Sequence, residues 1–226
     1  MSMPFYVSPE QAMKDRADYA RKGIARGRAL IALTYADGIL IVAENVSSTL
    51  HKVSEIYDRI AFAGVGRYSE FDQLRVAGVR AADMKGYQYS RDDVDARSLA
   101  NQYAQTLNNI FTHEFKPLEV EILVAEIGST DADDQLFHIM YDGTVVDESR
   151  YTVLGGDSDT IATRMEASWI AARPLSDAIK AAVAALGGPD RQLAVGDLEV
   201  AALSRGNGRR AFRRVDDGEL EAILSS

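Results

Sequence analysis

Apolar residues recur along the chain with a period near two in some stretches and near 3.6 in others, which separates strands from helices. Between Ala29 and Tyr35 and between Ile39 and Glu44, two β-rich runs flank Asp37-Gly38 and predict a hairpin with a tight turn. Short strands are expected at 50–54 and 58–65. Ser69 and Glu70 then open a helical pattern with Phe71, Leu74, Gly78, Ala81 and Ala82 on one face. From Ser98 to Phe115 a second helix carries Leu99, Tyr103, Thr106, Leu107, Ile110 and Phe111 as a wide stripe that must pack on something flat. Strands return at Leu118–Ile127, Leu136–Tyr141, Thr144–Val146 and Tyr151–Leu154, and helices at Asp159–Ala172 and Ser176–Leu186. Strands at 197–204 and 210–215 and a short helix from Glu219 finish the chain.

Ahead of all of these, Ser8-Pro9-Glu10-Gln11 combines a capping serine, a proline at the first helical position and a glutamine at the third. A helix is expected from Pro9 to about Lys22. Its apolar residues, Ala12, Met13, Ala17, Ala20 and Ile24, are small and sparse among charges. Such a narrow stripe fits either an ordinary solvated helix or one that a second protein surface covers. The order of helix, four strands, two helices, strands, two helices and two strands predicts an α+β, four-layer αββα sandwich with an extra N-terminal helix. With no long linker and no internal repeat, residues 1–226 read as a single domain.

Composition narrows the function. The 226 residues carry 25 basic and 34 acidic side chains, a formal charge of −9, with no basic surplus to displace counterions from a phosphate backbone, so nucleic acid is not an expected partner. The absence of cysteine removes disulfides, thiolate zinc sites, iron–sulfur clusters and a cysteine nucleophile, and fits a reducing cytoplasm. The longest apolar runs, such as Ile39–Ala43, fall far short of the ~20 residues that cross a bilayer, and the start lacks the pattern of a secretion signal, so no membrane partner is expected. Met1, Ser2, Met3, Pro4, Phe5, Tyr6 and Val7 form a leader with more apolar character than a solvated tail needs.

A catalytic constellation does not emerge. His51, His113 and His138 lie in separate segments without ligand spacing and read as surface or partly packed histidines; no metal or cofactor is expected. Gly64-Val65-Gly66-Arg67 lacks the third glycine of a dinucleotide fingerprint, and Asp131-Ala132-Asp133-Asp134 lacks the glycine and distal glutamate of a calcium loop.

Several segments together resemble a known family: Ser8–Met13, Asp18-Tyr19-Ala20-Arg21-Lys22-Gly23, Tyr35–Leu40 with Ala43-Glu44-Asn45, and Lys52–Ile60. The likeness continues through Ala63-Gly64, Asn101–Thr106, Tyr141-Asp142-Gly143, Leu198-Glu199-Val200 and Arg210–Arg214, and covers Ser8 to about Val215. In these the chain resembles the α-subunits of the bacterial 20S proteasome, of the actinobacterial kind. The resemblance implies the fold of the N-terminal-nucleophile hydrolases. It also implies a cytoplasmic, non-catalytic subunit of a heptameric outer ring, with neighbouring α-subunits, catalytic β-subunits, a proteasome-activating ATPase ring and unfolded protein substrates as partners. An active member of this fold carries a threonine at the head of its first strand, where hydroxyl and α-amine act together. Here that strand begins near Arg28-Ala29, after a helix. The alternative is an active amidohydrolase of the same fold with an unrecognised nucleophile.

The resemblance gives roles to particular residues. Met1 to Val7 would close the axial pore, although the Tyr-Asp-Arg gate motif of archaeal and eukaryotic α-subunits is absent from this leader and the helix start that follows it. Residues 8–22 would lie across the ring face. Lys52 matches a lysine that lines pockets between neighbouring α-subunits, where an activator tail ending in a hydrophobic residue, tyrosine and any residue inserts its carboxylate. Gly64 would lie near the pocket wall, with Asp18 and Arg21 on the adjoining helix.

Overall fold

A computed structural model describes residues 8–226. The expected leader, Met1–Val7, lies outside the described residues. The first helix, α1 (Pro9–Ala25), starts as its sequence requires: the Ser8 hydroxyl accepts the Gln11 N–H at 3.2 Å. The Gln11 side chain turns along the helix instead of back to Ser8, and donates to Asp15 at 2.7 Å. The helix also runs three residues beyond Lys22, because burial of Ala20 and Ile24 holds its last turn against the sheets.

Strands β1 (Leu30–Tyr35) and β2 (Gly38–Glu44) form the predicted hairpin, with Tyr35 opposite Gly38, so the two loop residues are Ala36 and Asp37. Gly38 is required by close approach, since a Cβ there would collide with the Leu203 carbonyl and lie 2.6 Å from Ile127. Strand β3 (Val53–Tyr57) begins three residues later than expected. The preceding segment is held as a loop by its own polar side chains: Asn45 Nδ2 donates to the Leu50 carbonyl at 2.8 Å, and the Ser47 hydroxyl accepts the Leu50 N–H at 3.0 Å. Strand β4 (Ile60–Gly66) follows, then α2 (Tyr68–Gln88) and α3 (Ala96–His113). The Asp95 carboxylate caps α3 through the Ser98 N–H at 2.8 Å, which starts that helix two residues earlier than its stripe alone suggests.

The second half contributes β5 (Val120–Glu126), β6 (Gln135–Ile139), β7 (Val145–Glu148), β8 (Tyr151–Leu154), α4 (Ser158–Ser168), α5 (Leu175–Gly187), β9 (Leu198–Ser204), β10 (Phe212–Arg214) and α6 (Asp217–Ser225). Helix α4 stops at Ser168, not Ala172. Pro174 disfavours helical backbone at Arg173, and the Arg173 guanidinium donates to the Ser168 carbonyl at the end of the helix.

The ten strands form two antiparallel five-stranded sheets, ordered β10-β9-β2-β1-β8 and β3-β4-β5-β6-β7. Strand β8 follows β7 directly yet crosses to the other sheet and pairs with β1. Between the sheets lies a core including Leu30, Ile41, Ala63, Leu123 and Leu203. Helices α4, α5 and α6 bury apolar residues against one outer face, and α2 and α3 against the other. This is the predicted αββα sandwich. Both faces of the central strands are covered, which explains why β2 is buried at every position and reads as a continuous apolar run. No helix of the described residues is long and apolar enough to cross a membrane.

Candidate functional site at the head of the first strand

Helix α1 delivers the chain to the head of β1, and Ala20 and Ile24 from its last turns enter the inter-sheet core. At that head, the Ala29 carbonyl accepts the Glu44 N–H at 3.0 Å, while Arg28 turns its guanidinium to the Glu44 carboxylate at 2.5 Å. Glu44 is buried at the end of β2 and is also gripped by both terminal nitrogens of Arg191, each at 3.1 Å. Burial alone would raise the Glu44 pKa. The hydrogen bonds and charge of Arg191 and then Arg28 outweigh it and hold the carboxyl below its usual range. Arg28, Glu44, Gly156, Arg164 and Arg191 line an open cleft of about 600 Å³ here.

Lys52 reaches the same place from the start of β3. It is partly buried, and its ammonium donates to the Arg28 carbonyl at 2.6 Å. Burial pulls its pKa down to about 8; the Arg28 charge adds to this effect, and Glu44 and Glu199 oppose it. A lysine with these surroundings is still mostly charged near neutrality but poised to lose its proton. Its carbonyl accepts the Gly64 N–H at 3.0 Å, so the two residues singled out in sequence 12 positions apart stand side by side. Gly64 has a packing reason of its own, because a Cβ would lie 2.6 Å from the Phe71 ring of α2.

A second buried carboxylate, Glu199 on β9, organises the approach to Lys52. It accepts the Lys52 N–H at 2.8 Å and the Val53 N–H at 3.2 Å, and is joined by Asn45, Arg214 and His51. Arg214 donates its other terminal nitrogen to the Val53 carbonyl at 2.6 Å.

Asp18 and Arg21 sit together on exposed surface of α1, 3.7 Å apart, with the Arg21 guanidinium 5.7 Å from the centre of the Tyr141 ring. The hydrogen bonds and ion pairs of the described residues link neither to Lys52 or Gly64. One chain therefore gathers Lys52 and Gly64 with Arg28, Glu44, Arg191 and Glu199, and leaves Asp18 and Arg21 elsewhere. Neither the residue patterns nor the family resemblance marks Arg28, Glu44, Arg191 or Glu199 as site residues. A signal existed for the two acids: each sits in an otherwise apolar run, Ile39–Ala43 before Glu44 and Leu198–Leu203 around Glu199, where an unpaired carboxylate would be costly.

The histidines are dispersed as expected, although His138 is buried, its Nε2 3.3 Å from Glu121 and its Nδ1 3.4 Å from Thr152. Among the described residues no cluster of three or more His, Asp or Glu is arranged to hold a metal ion.

The sequence profile of the proteasome subunit family matches residues 24–193. A proteasome subunit alpha of Acidimicrobium ferrooxidans is 62% identical over 224 residues, covering 99% of this chain and 97% of that protein. Those of Saccharopolyspora erythraea and Kineococcus radiotolerans are 57% and 54% identical, each across 100% of this chain and over 90% and 99% of their own lengths. With the two-sheet sandwich and the helix ahead of its first strand, these likenesses show that the chain belongs to the proteasome subunit family, in the α-subunit branch that these actinobacterial proteins represent.

Proposed function

We propose that the chain is a non-catalytic outer-ring subunit of a cytoplasmic proteasome core. Seven copies form a ring on catalytic β-subunits, admit unfolded protein substrates through an axial pore and dock an activating ATPase ring. The observation that carries this reading is the head of β1. A threonine nucleophile of this fold needs its own α-amine as base, so its strand must begin at the mature terminus. Here α1 runs into the strand, Ala20 and Ile24 are packed between the sheets, and the strand head is Arg28-Ala29, its two carbonyls engaged by Lys52 and by Glu44. Hydrolysis then belongs to a partner.

On this reading residues 1–226 act as one domain, with Met1–Val7 as the gate and α1 across the ring face. The exposed side of α1, with Met13 and Tyr19 uncovered in the single chain, supplies contact surface for a neighbouring copy. Lys52 and Gly64 of one copy form an activator pocket with Asp18 and Arg21 of an adjoining α1, which accounts for their separation within one chain.

The test compares the purified chain with the chain co-assembled with a β-type subunit, using a fluorogenic peptide substrate and native mass measurement. The chain alone should give no turnover, and the co-assembled sample should give turnover in a particle built on sevenfold rings. Turnover by a sample shown free of β-subunit would overturn the reading and favour an amidohydrolase of the same fold.

A further inference from the structure

Lys52 ends an irregular segment, residues 45–52, that belongs to neither sheet and leads into β3. Asn45 and Ser47 hold the turn within that segment, the Lys52 carbonyl accepts the Gly64 N–H, and a carboxylate from the opposite sheet ties the end of the segment in place. Glu199 is only 9% exposed and gathers four hydrogen-bond donors, with His51 beside them. Its Oε2 accepts the Lys52 N–H and Asn45 Nδ2, each at 2.8 Å; its Oε1 accepts Arg214 Nη1 at 2.6 Å and the Val53 N–H at 3.2 Å, with His51 Nδ1 also 3.2 Å away. Two of these donors are the backbone amides of the residue in question and its successor. A carboxylate that accepts several bonds from both backbone and charged side chains sets the path of the chain more rigidly than packing of an exposed loop can.

We propose that Glu199 is the positioning residue for Lys52: by binding the Lys52 and Val53 amides together with Asn45 and Arg214, it fixes the segment that presents the Lys52 ammonium to an incoming carboxylate. The inference rests on the reading of Lys52 as the activator-tail lysine and adds to it the residue that makes the lysine a formed site. Glu44 plays a different part, since it pairs with Arg28 and Arg191 and forms no hydrogen bond to the 45–53 backbone beyond its own chain neighbours among the described residues.

The test uses the particle assembled with a β-type subunit and two labelled peptides ending in leucine, tyrosine and alanine, one with a free terminal carboxylate and one amidated. The readout is the ratio of their affinities, which a general loss of stability does not move. Glu199→Gln keeps the shape but turns one acceptor atom into a donor facing donors. It should reduce the preference for the free carboxylate at least tenfold and speed hydrogen exchange at the Lys52 and Val53 amides. Lys52→Ala should abolish the preference. If Lys52→Ala loses it while Glu199→Gln retains it in full, Glu199 does not position the lysine and the docking reading stands. If Lys52→Ala also retains it, the docking reading itself fails. Should Glu199→Gln not assemble, Asn45→Ala, which removes one of the four donors, should lower the same ratio severalfold; an unchanged ratio would overturn the inference.

Discussion

If Lys52 receives the activator tail as proposed, its ammonium should make that binding sensitive to pH in a window where ordinary lysines are silent. Its pKa is pulled down to about 8, first by burial and then by the Arg28 charge, against the pull of Glu44 and Glu199. The unperturbed value of a lysine is about 10.4, and a C-terminal carboxylate titrates near 3.5, so between pH 7 and 9 the tail keeps its charge while Lys52 loses its own. If the tail binds the charged form, the receptive fraction falls from about nine-tenths at pH 7 to about one-tenth at pH 9, a loss of about tenfold in affinity. The free-carboxylate peptide titrated by fluorescence anisotropy against the assembled particle at half-unit pH steps reads this directly. Lys52→Arg supplies the control, because a guanidinium stays charged throughout and should flatten the profile, although its planar shape should restore binding only in part. A wild-type affinity constant from pH 7 to 9, or an equal fall in Lys52→Arg, would refute the reasoning. The same depression has a consequence for folding. Between about pH 8 and 10.5 the unfolded chain holds a proton that the folded chain has shed, so the burial penalty on Lys52 is full below pH 8 and is relieved as pH rises through that window.

Deleting Met1–Val7 should raise the rate of peptide hydrolysis by the assembled particle without changing reactivity toward a small active-site label, since only access changes; equal rates with assembly confirmed would remove these residues from the gate. Gly64→Ala places a methyl group 2.6 Å from the Phe71 ring and should destabilise the chain by about 1–3 kcal/mol in chemical denaturation, with an unchanged midpoint arguing that α2 shifts freely.

Much of the architecture was legible along the chain because hydrophobic period is a local property. The Leu99, Tyr103 and Leu107 stripe needs a flat surface wherever the chain goes, and Ser8-Pro9 starts a helix from atoms within three residues. Several boundaries moved where a polar side chain three to five residues away competes with the hydrophobic pattern. Asp95 extends α3 backwards, Arg173 ends α4 early, and Asn45 and Ser47 keep residues before Val53 out of the sheet. Within the site, Lys52 and Gly64 were accessible to the sequence through family resemblance alone, since a lysine before a strand carries no mark of its surroundings.

The sequence by itself determined the kinds of elements, their order and the need for two covered sheets, because each apolar face demands burial whatever its partner. Sheet membership was decided by the tertiary structure: β7 and β8 are consecutive, yet one pairs with β6 and the other with β1. Strand pairing depends on which faces can be buried together across long separations, and no local pattern contains that information. The roles of Glu44 and Glu199 were decided in the same way. Both appear in sequence as a single carboxylate in an apolar run, and what each does is set by partners such as Arg191 and Lys52, each 147 positions from the acid that it meets. A charge becomes an anchor for a strand head or a loop only when folding removes it from water and leaves those partners as its solvation.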